Sequence, residues 1–350
     1  MLYFLLKSII SFLRSDNMFC SKPFYYDMEF HRGGRDARPE NTLYSYQYAI
    51  ENGALTIECD MQMTKDRQLV MSHNPALNPD ITTDINGERI TSDSCFIHDM
   101  SLEHVQSFNV GRMDEASEYY TLHGRTQVTA DAQIPTLKQL FELVRDSKNE
   151  EIRMSIEVKY YPDPALGEMY QKNPDKDIIL REFLTLVNEF GFQKRVILQC
   201  FDWDILVRMK KLDPKIRTIA LWCEQPQWGI CSTTLWLDRD TPSPWLGGVN
   251  IRDFGGDPVK AAHSLDIDDI SPYYEEVTKE LIDEAHHFKM RVVPWTVNRA
   301  EDMEKLYHMG VDGIITDRPW ILRAVLESMG EKLCPVKKLD LPYHLEPEHI

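Results

Sequence analysis

Two periodicities alternate along the C-terminal half of the chain. Residues 152–159, 195–200, 217–223, 291–297 and 313–316 are short, largely apolar runs rich in Val and Ile, as in strands covered on both faces. Between them, residues 177–191, 202–212, 278–289 and 300–310 place apolar side chains at helical spacing, and a last helical run begins at Trp320. Asp202 and Thr278 stand where N-caps belong, and Gly191 and Gly310 where helices stop. The N-terminal half follows the same scheme, with a strand ending at His31, a helix over 42–52 and a strand over 54–61. The spacing then breaks. Residues 75–134 are rich in Asn, Asp, Thr and Gly, and the helical pattern resumes only at 134–144. A second irregular stretch, 224–246, holds Trp228, Trp236 and Trp245 among prolines. Strands alternating with helices predict a parallel sheet of the α/β class, and the order suits a (β/α)₈ TIM barrel with 75–134 inserted in one of its loops.

Composition narrows the partners. A chain of 350 residues with 43% hydrophobic and 27% charged residues can build one large core. A net charge of −17 argues against nucleic acid or an anionic membrane as the main partner. It leaves room for a locally basic site that takes a small anion. The seven cysteines are odd in number and contain no CxxC pair, which argues against a disulfide framework or zinc knuckle. Cys59 and Cys200 fall in apolar runs and read as reduced core residues, which favours the cytoplasm over export or membrane attachment. The opening run, MLYFLLKSIISFLRS, is too short to span a bilayer and makes a poor signal peptide. Residues 1–27 are therefore expected as an extension, either an amphipathic helix able to touch a membrane surface or a weak targeting segment. The barrel is expected over 28–328, with 329–350 as a tail.

Barrel chemistry sits at the C-terminal ends of strands. Those ends carry His31 and Arg32, Glu58 and Asp60, Glu157 and Lys159, Gln199, Trp295, and Thr316 with Asp317, with His73 just beyond the second strand. Glu58 and Asp60 are two apart, so a strand points both to one face. Side-by-side carboxylates repel unless a cation or proton lies between them. With Glu157 as a third, they suit a hard divalent ion, Mg²⁺ or Ca²⁺. Ion pairs such as Glu157 with Lys159 explain the same residues equally well. His31 and His73 are candidates for acid–base work because both titrate near neutral pH. Arg32 and Lys159 could grip a phosphate or simply neutralise the carboxylates. His98, His104 and His123 in the insertion are expected to be solvated in preference to lining a substrate mouth, and His286 and His287 to lie on a helix surface or between helices.

The ordered set of short motifs resembles the glycerophosphodiester phosphodiesterase family. It runs HRG–GRDAR–PENT from His31, ExD at Glu58 to Asp60, TKD at Thr64 to Asp66, His73, ExK at Glu157 to Lys159, WTVN at Trp295 to Asn298 and TDRP at Thr316 to Pro319. The resemblance implies a TIM barrel with an insertion after strand 2. It implies a divalent metal on Glu58, Asp60 and Glu157, the acid–base pair His31 and His73, and Arg32 and Lys159 near the phosphate. Trp295 is expected as an apolar wall against the glycerol carbons. The implied substrate is a small glycerophosphodiester, cleaved to sn-glycerol 3-phosphate and an alcohol. One departure is Asn74, where the family commonly has Asp after the histidine. A lysophospholipase D activity and a non-catalytic phosphodiester-binding role are the alternatives.

Overall fold

The computed structural model describes residues 25–91, 95–163, 166, 173–228 and 233–345. The extension expected over 1–27 thus lies outside the described residues up to position 24. Eight strands form one sheet: β1 (Asp27–Phe30), β2 (Thr56–Met63), β3 (Leu69–Met71), β4 (Arg153–Val158), β5 (Val196–Cys200), β6 (Arg217–Trp222), β7 (Asp269–Pro272) and β8 (Gly313–Thr316). The order β7-β6-β5-β4-β2-β1-β8 is parallel throughout, and β3 folds back antiparallel on the end of β2.

Residues 291–297 close the ring. Val292 and Trp295 bridge to Ile270 and Tyr273 on the β7 side. On the β8 side, Val297 N donates to Ile315 O at 2.9 Å and Ile315 N to Pro294 O at 3.0 Å. Pro294 has no N–H to give, which explains why this stave pairs through scattered bonds instead of a full ladder. The result is a (β/α)₈ barrel.

The helices are α1 (Leu43–Glu51), α2 (Leu102–Val105), α3 (Glu118–His123), α4 (Leu137–Asp146), α5 (Lys176–Phe190), α6 (Trp203–Leu212), α7 (Pro258–Ser264), α8 (Lys279–His287), α9 (Ala300–Met309) and α10 (Pro319–Ser328). Asp202 and Thr278 cap α6 and α8, and Gly191 and Gly310 end α5 and α9 with left-handed φ of 67° and 96°. The pair α7 and β7 has no counterpart in the apolar pattern, because β7 reads Asp-Ile-Ser-Pro.

Side-chain alternation divides each strand. Met28 and Phe30 of β1 and Ile57, Cys59 and Met61 of β2 join the main core beneath the helices. Asp27 and Glu29, and Thr56, Glu58 and Asp60, take the opposite face, the barrel interior. At the N-terminal end of that interior, Asp27 accepts from Thr56 Oγ1 at 2.7 Å and from Arg291, with Arg153 at 3.4 Å, while Arg217 grips Asp269. The insertion has a small core of its own, in which Leu77, Ile97, Val105, Phe108 and Val110 surround Val70. The tail lies along α1: Tyr343 N donates to Gln47 Oε1 at 2.9 Å and Leu339 N to Glu51 Oε1 at 2.9 Å.

Candidate active site

The chain leaves β1 through a tight turn over His31–Gly33, in which Arg32 has a φ of 51°. Gly33 (φ 81°) permits the next step, since a Cβ there would lie 2.6 Å from Ser45 Oγ in the first turn of α1. Thr42 caps α1 in a reciprocal box with Ser45. Asn41, next to that cap, is used differently. Its Nδ2 donates to Asp60 Oδ2 at 2.8 Å, and its Oδ1 accepts from Tyr46 OH at 3.0 Å.

Strand register brings the carboxylates together. Asp60 pairs with Glu157 across β2 and β4, and Glu157 with Gln199 across β4 and β5. One oxygen from each of Glu58, Asp60 and Glu157 falls within 4.8 Å of the others. Glu58 is fixed by Gln199 Nε2 at 2.8 Å and by the Arg32 backbone N–H at 2.9 Å. Lys159 Nζ sits 2.7 Å from Glu157 and 3.2 Å from Asp60. Arg32 Nη1 donates to both oxygens of Glu40, at 3.0 and 3.1 Å, and its Nε lies 3.2 Å from Asp60.

The ion pairs weighed from the sequence are therefore present, yet they do not balance the charge. Glu40, Glu58, Asp60 and Glu157 face Arg32, Lys159 and Arg35, and Arg35 is shared with Asp317. Burial, with Asp60 adding repulsion, pushes Glu58 well above the usual carboxylate range. Burial and Asp60 raise Glu157 to about 7 against the pull of Lys159. Asp60 Oδ1 is buried without an aligned hydrogen bond. An all-oxygen set with uncompensated negative charge fits a hard divalent cation.

His31 Nδ1 lies 2.6 Å from Asp317 Oδ1, and its Nε2 is 3.9 Å from Glu58. Burial lowers the imidazole to about 4, with Asp317 pulling the other way. Asp317 is held in turn by Arg35 Nε at 2.7 Å and Asn298 Nδ2 at 2.7 Å. His73 Nδ1 meets Asn74 Oδ1 at 2.6 Å. A carbonyl oxygen only accepts, so Nδ1 carries the proton and Nε2 is left as a base. Burial, Arg32 and Lys159 hold His73 well below the ordinary histidine range.

His31, Arg32, Glu58, His73, Glu157, Lys159 and Trp295 line one cavity of about 680 Å³, and Asp60 lies beneath its floor. Aromatic rings line the same cavity. Phe201 and Trp295 meet edge-on at 5.5 Å, Tyr273 and Trp295 at 5.7 Å, and Phe201 and Trp245 at 6.4 Å. Tyr273 comes from the end of β7, the strand that apolar pattern could not reveal. Arg35, Glu40 and Asp317 also escaped assignment, although each stands inside one of the quoted motifs.

His123 requires a correction. It is buried, not solvated, and its Nδ1 lies 2.5 Å from Asp36 Oδ1. Asp36, His123 and Asp317 form a second compact group. Arg318 on Asp36 and Arg35 on Asp317 already match those carboxylates, so the group reads as an ion-pair cluster.

A barrel with carboxylates, histidines and cations around one mouth defines an enzyme built to handle an anion. The chain belongs to the glycerophosphoryl diester phosphodiesterase family, whose family model matches residues 31–320. It is 29% identical over 304 residues to a glycerophosphodiester phosphodiesterase of Caldanaerobacter subterraneus subsp. tengcongensis, covering 86% of this chain and 97% of that protein. It is 22% identical over 306 residues to lysophospholipase D GDPD3 of Homo sapiens, covering 86% and 85%. A crystal structure from Silicibacter pomeroyi DSS-3, provisionally named a glycerophosphoryl diester phosphodiesterase, superposes with a TM-score of 0.74 at 27% identity. It covers 88% of this chain and 95% of its own.

Proposed function

We propose that this chain hydrolyses glycerophosphodiesters, such as glycerophosphocholine and glycerophosphoethanolamine, to sn-glycerol 3-phosphate and the free alcohol, with Mg²⁺ or Ca²⁺ held by Glu58, Asp60 and Glu157. The observation that carries the reading is the meeting of three carboxylates, two histidines and two cationic side chains around one cavity. Arg32 and Lys159 take up phosphoryl charge. His73, with Nδ1–H committed to Asn74, takes the proton of the attacking hydroxyl, whether of water or of the glycerol moiety. His31 faces Asp317, which pulls the buried imidazole back up and supports its protonated form, so this is the ring assigned to give a proton to the leaving alkoxide. A divalent cation bound there supplies Lewis-acid polarisation of a phosphate oxygen. Trp295 forms an apolar wall for the glycerol carbons.

The aromatic wall favours one second reading, a lysophospholipase D activity, because those rings could also cover the start of an acyl chain. Turnover of glycerophosphocholine and lysophosphatidylcholine, followed by release of choline, separates the two. Faster cleavage of glycerophosphocholine is expected. His31→Ala should lower kcat by roughly 10²–10⁴, and an active His31→Ala protein would sink the assignment.

A further inference from the structure

The insertion after β2 reaches back over the loop that carries His31 and Arg32, and it does so through polar side chains. Tyr119 on α3 donates its hydroxyl to Glu40 Oε2 at 2.8 Å. The same carboxylate receives Arg32 Nη1 on both oxygens. Four residues on, His123 meets Asp36. Thr126 Oγ1 and Gln127 Nε2 donate to the carbonyls of Asp36 and Arg35 at 2.7 and 2.5 Å, and Val128 N donates to Ala37 O at 3.0 Å.

The gripped segment includes Arg32, a non-glycine residue with left-handed φ, followed by two glycines with positive φ. Such backbone persists only where its surroundings over-determine it. The Arg32 guanidinium is pinned on one edge by Glu40 and on another by Asp60. Its direction into the cavity therefore depends on where Glu40 stands. Arg32 Nη1 and Tyr119 hydrogen-bond to Glu40 Oε2, Arg35 Nη1 lies 3.8 Å from it, and of the three only Tyr119 belongs to the insertion.

We propose that Tyr119, acting through Glu40, is a positioning residue for Arg32, so that the insertion sets the geometry of the phosphate side of the cavity. The inference rests on the reading of Arg32 as a phosphate ligand. Burial beside Glu40 keeps the Tyr119 phenol well above its ordinary range, so the hydroxyl remains a donor. Removing it leaves Glu40 held by Arg32 and Arg35 alone, with nothing from the insertion to fix where the carboxylate and Arg32 stand.

The test compares wild type, Tyr119→Phe, Glu40→Asp and the double variant. Each is measured for binding of inorganic phosphate by calorimetry, for kcat and KM on glycerophosphocholine, and for thermal midpoint. Tyr119→Phe should weaken phosphate binding and lower kcat/KM about tenfold, the scale of a hydrogen bond to a charged group. Its midpoint should stay within about 2 °C of wild type, because only one hydroxyl is lost. Glu40→Asp keeps the charge but shortens the reach, and should weaken phosphate binding on its own. Adding Tyr119→Phe to Glu40→Asp should change little, since the hydroxyl acts through the carboxylate. Full multiplicative effects in the double variant, or wild-type phosphate binding in either single variant, would overturn the proposal. Wild-type protein that binds phosphate but turns nothing over would instead count against the catalytic reading, and the phosphate comparison would still decide this one.

Discussion

At single residues, the two histidines differ in what stands behind them. His31 has a carboxylate at 2.6 Å, whereas His73 has an amide oxygen at the same distance. An amide steadies the neutral ring but gives an imidazolium much less support than a carboxylate does. Asn74→Asp should therefore raise kcat on glycerophosphocholine by roughly two- to tenfold, since charge-assisted hydrogen bonds are about twice as strong as neutral ones. An unchanged or lower kcat would show that the proton on His73 does not limit the rate. The sequence discloses His31, Glu58, Asp60 and Glu157 because strand alternation alone puts polar groups where an apolar core is due. It does not disclose that Asp317 backs His31. The two are 286 positions apart and meet only because the barrel closes β1 onto β8.

At the scale of elements, the loop from His31 to Thr42 is shaped by its backbone as much as by its side chains. Gly33 combines a left-handed φ with an approach to Ser45 that leaves a Cβ only 2.6–2.8 Å from its atoms, including a backbone carbon. Gly33→Ala should destabilise the protein by at least about 1–2 kcal/mol from the dihedral alone. It should also lower activity, because His31 and Arg32 sit on the displaced turn. Denaturant unfolding and turnover measure both, and an alanine variant with wild-type stability would contradict this account of the loop. Most helices are legible because their caps and apolar stripes agree, as at Asp202 and Thr278. β7 is not, because its inward Asp269 and Ser271 and its Pro272 remove the apolar run that marks a buried strand. The grip of α3 on the loop is equally hidden, because polar contacts between distant segments leave no periodicity behind.

In the whole molecule, charge is stacked in layers inside the barrel. Glu29 lies between the ionic layer of Asp27, Arg153 and Arg291 and the catalytic mouth. It is 0% exposed, and its oxygens meet no hydrogen-bond donor among the described residues. Burial, with Asp27 adding repulsion, raises its carboxyl from 4.5 to about 8. A raised value in the folded state means that its stability contribution is complete below pH 4.5 and is lost as pH rises through about 8. Glu29→Gln is neutral at every pH, so its midpoint should gain on wild type between pH 5 and pH 9, as followed by thermal melting. A difference that does not vary with pH would rule out a titrating Glu29. The charge at the mouth bears on function most directly, because the carboxylates of Glu40, Glu58, Asp60, Glu157 and Asp317 outnumber Arg32, Arg35 and Lys159, an imbalance that suits a divalent ion. The decisive measurement is release of sn-glycerol 3-phosphate from glycerophosphocholine by EDTA-treated protein, before and after adding back Mg²⁺ or Ca²⁺. The account predicts no product without metal, recovery with at least one of the two ions, and no recovery in Glu58→Gln. Full activity in EDTA would contradict it.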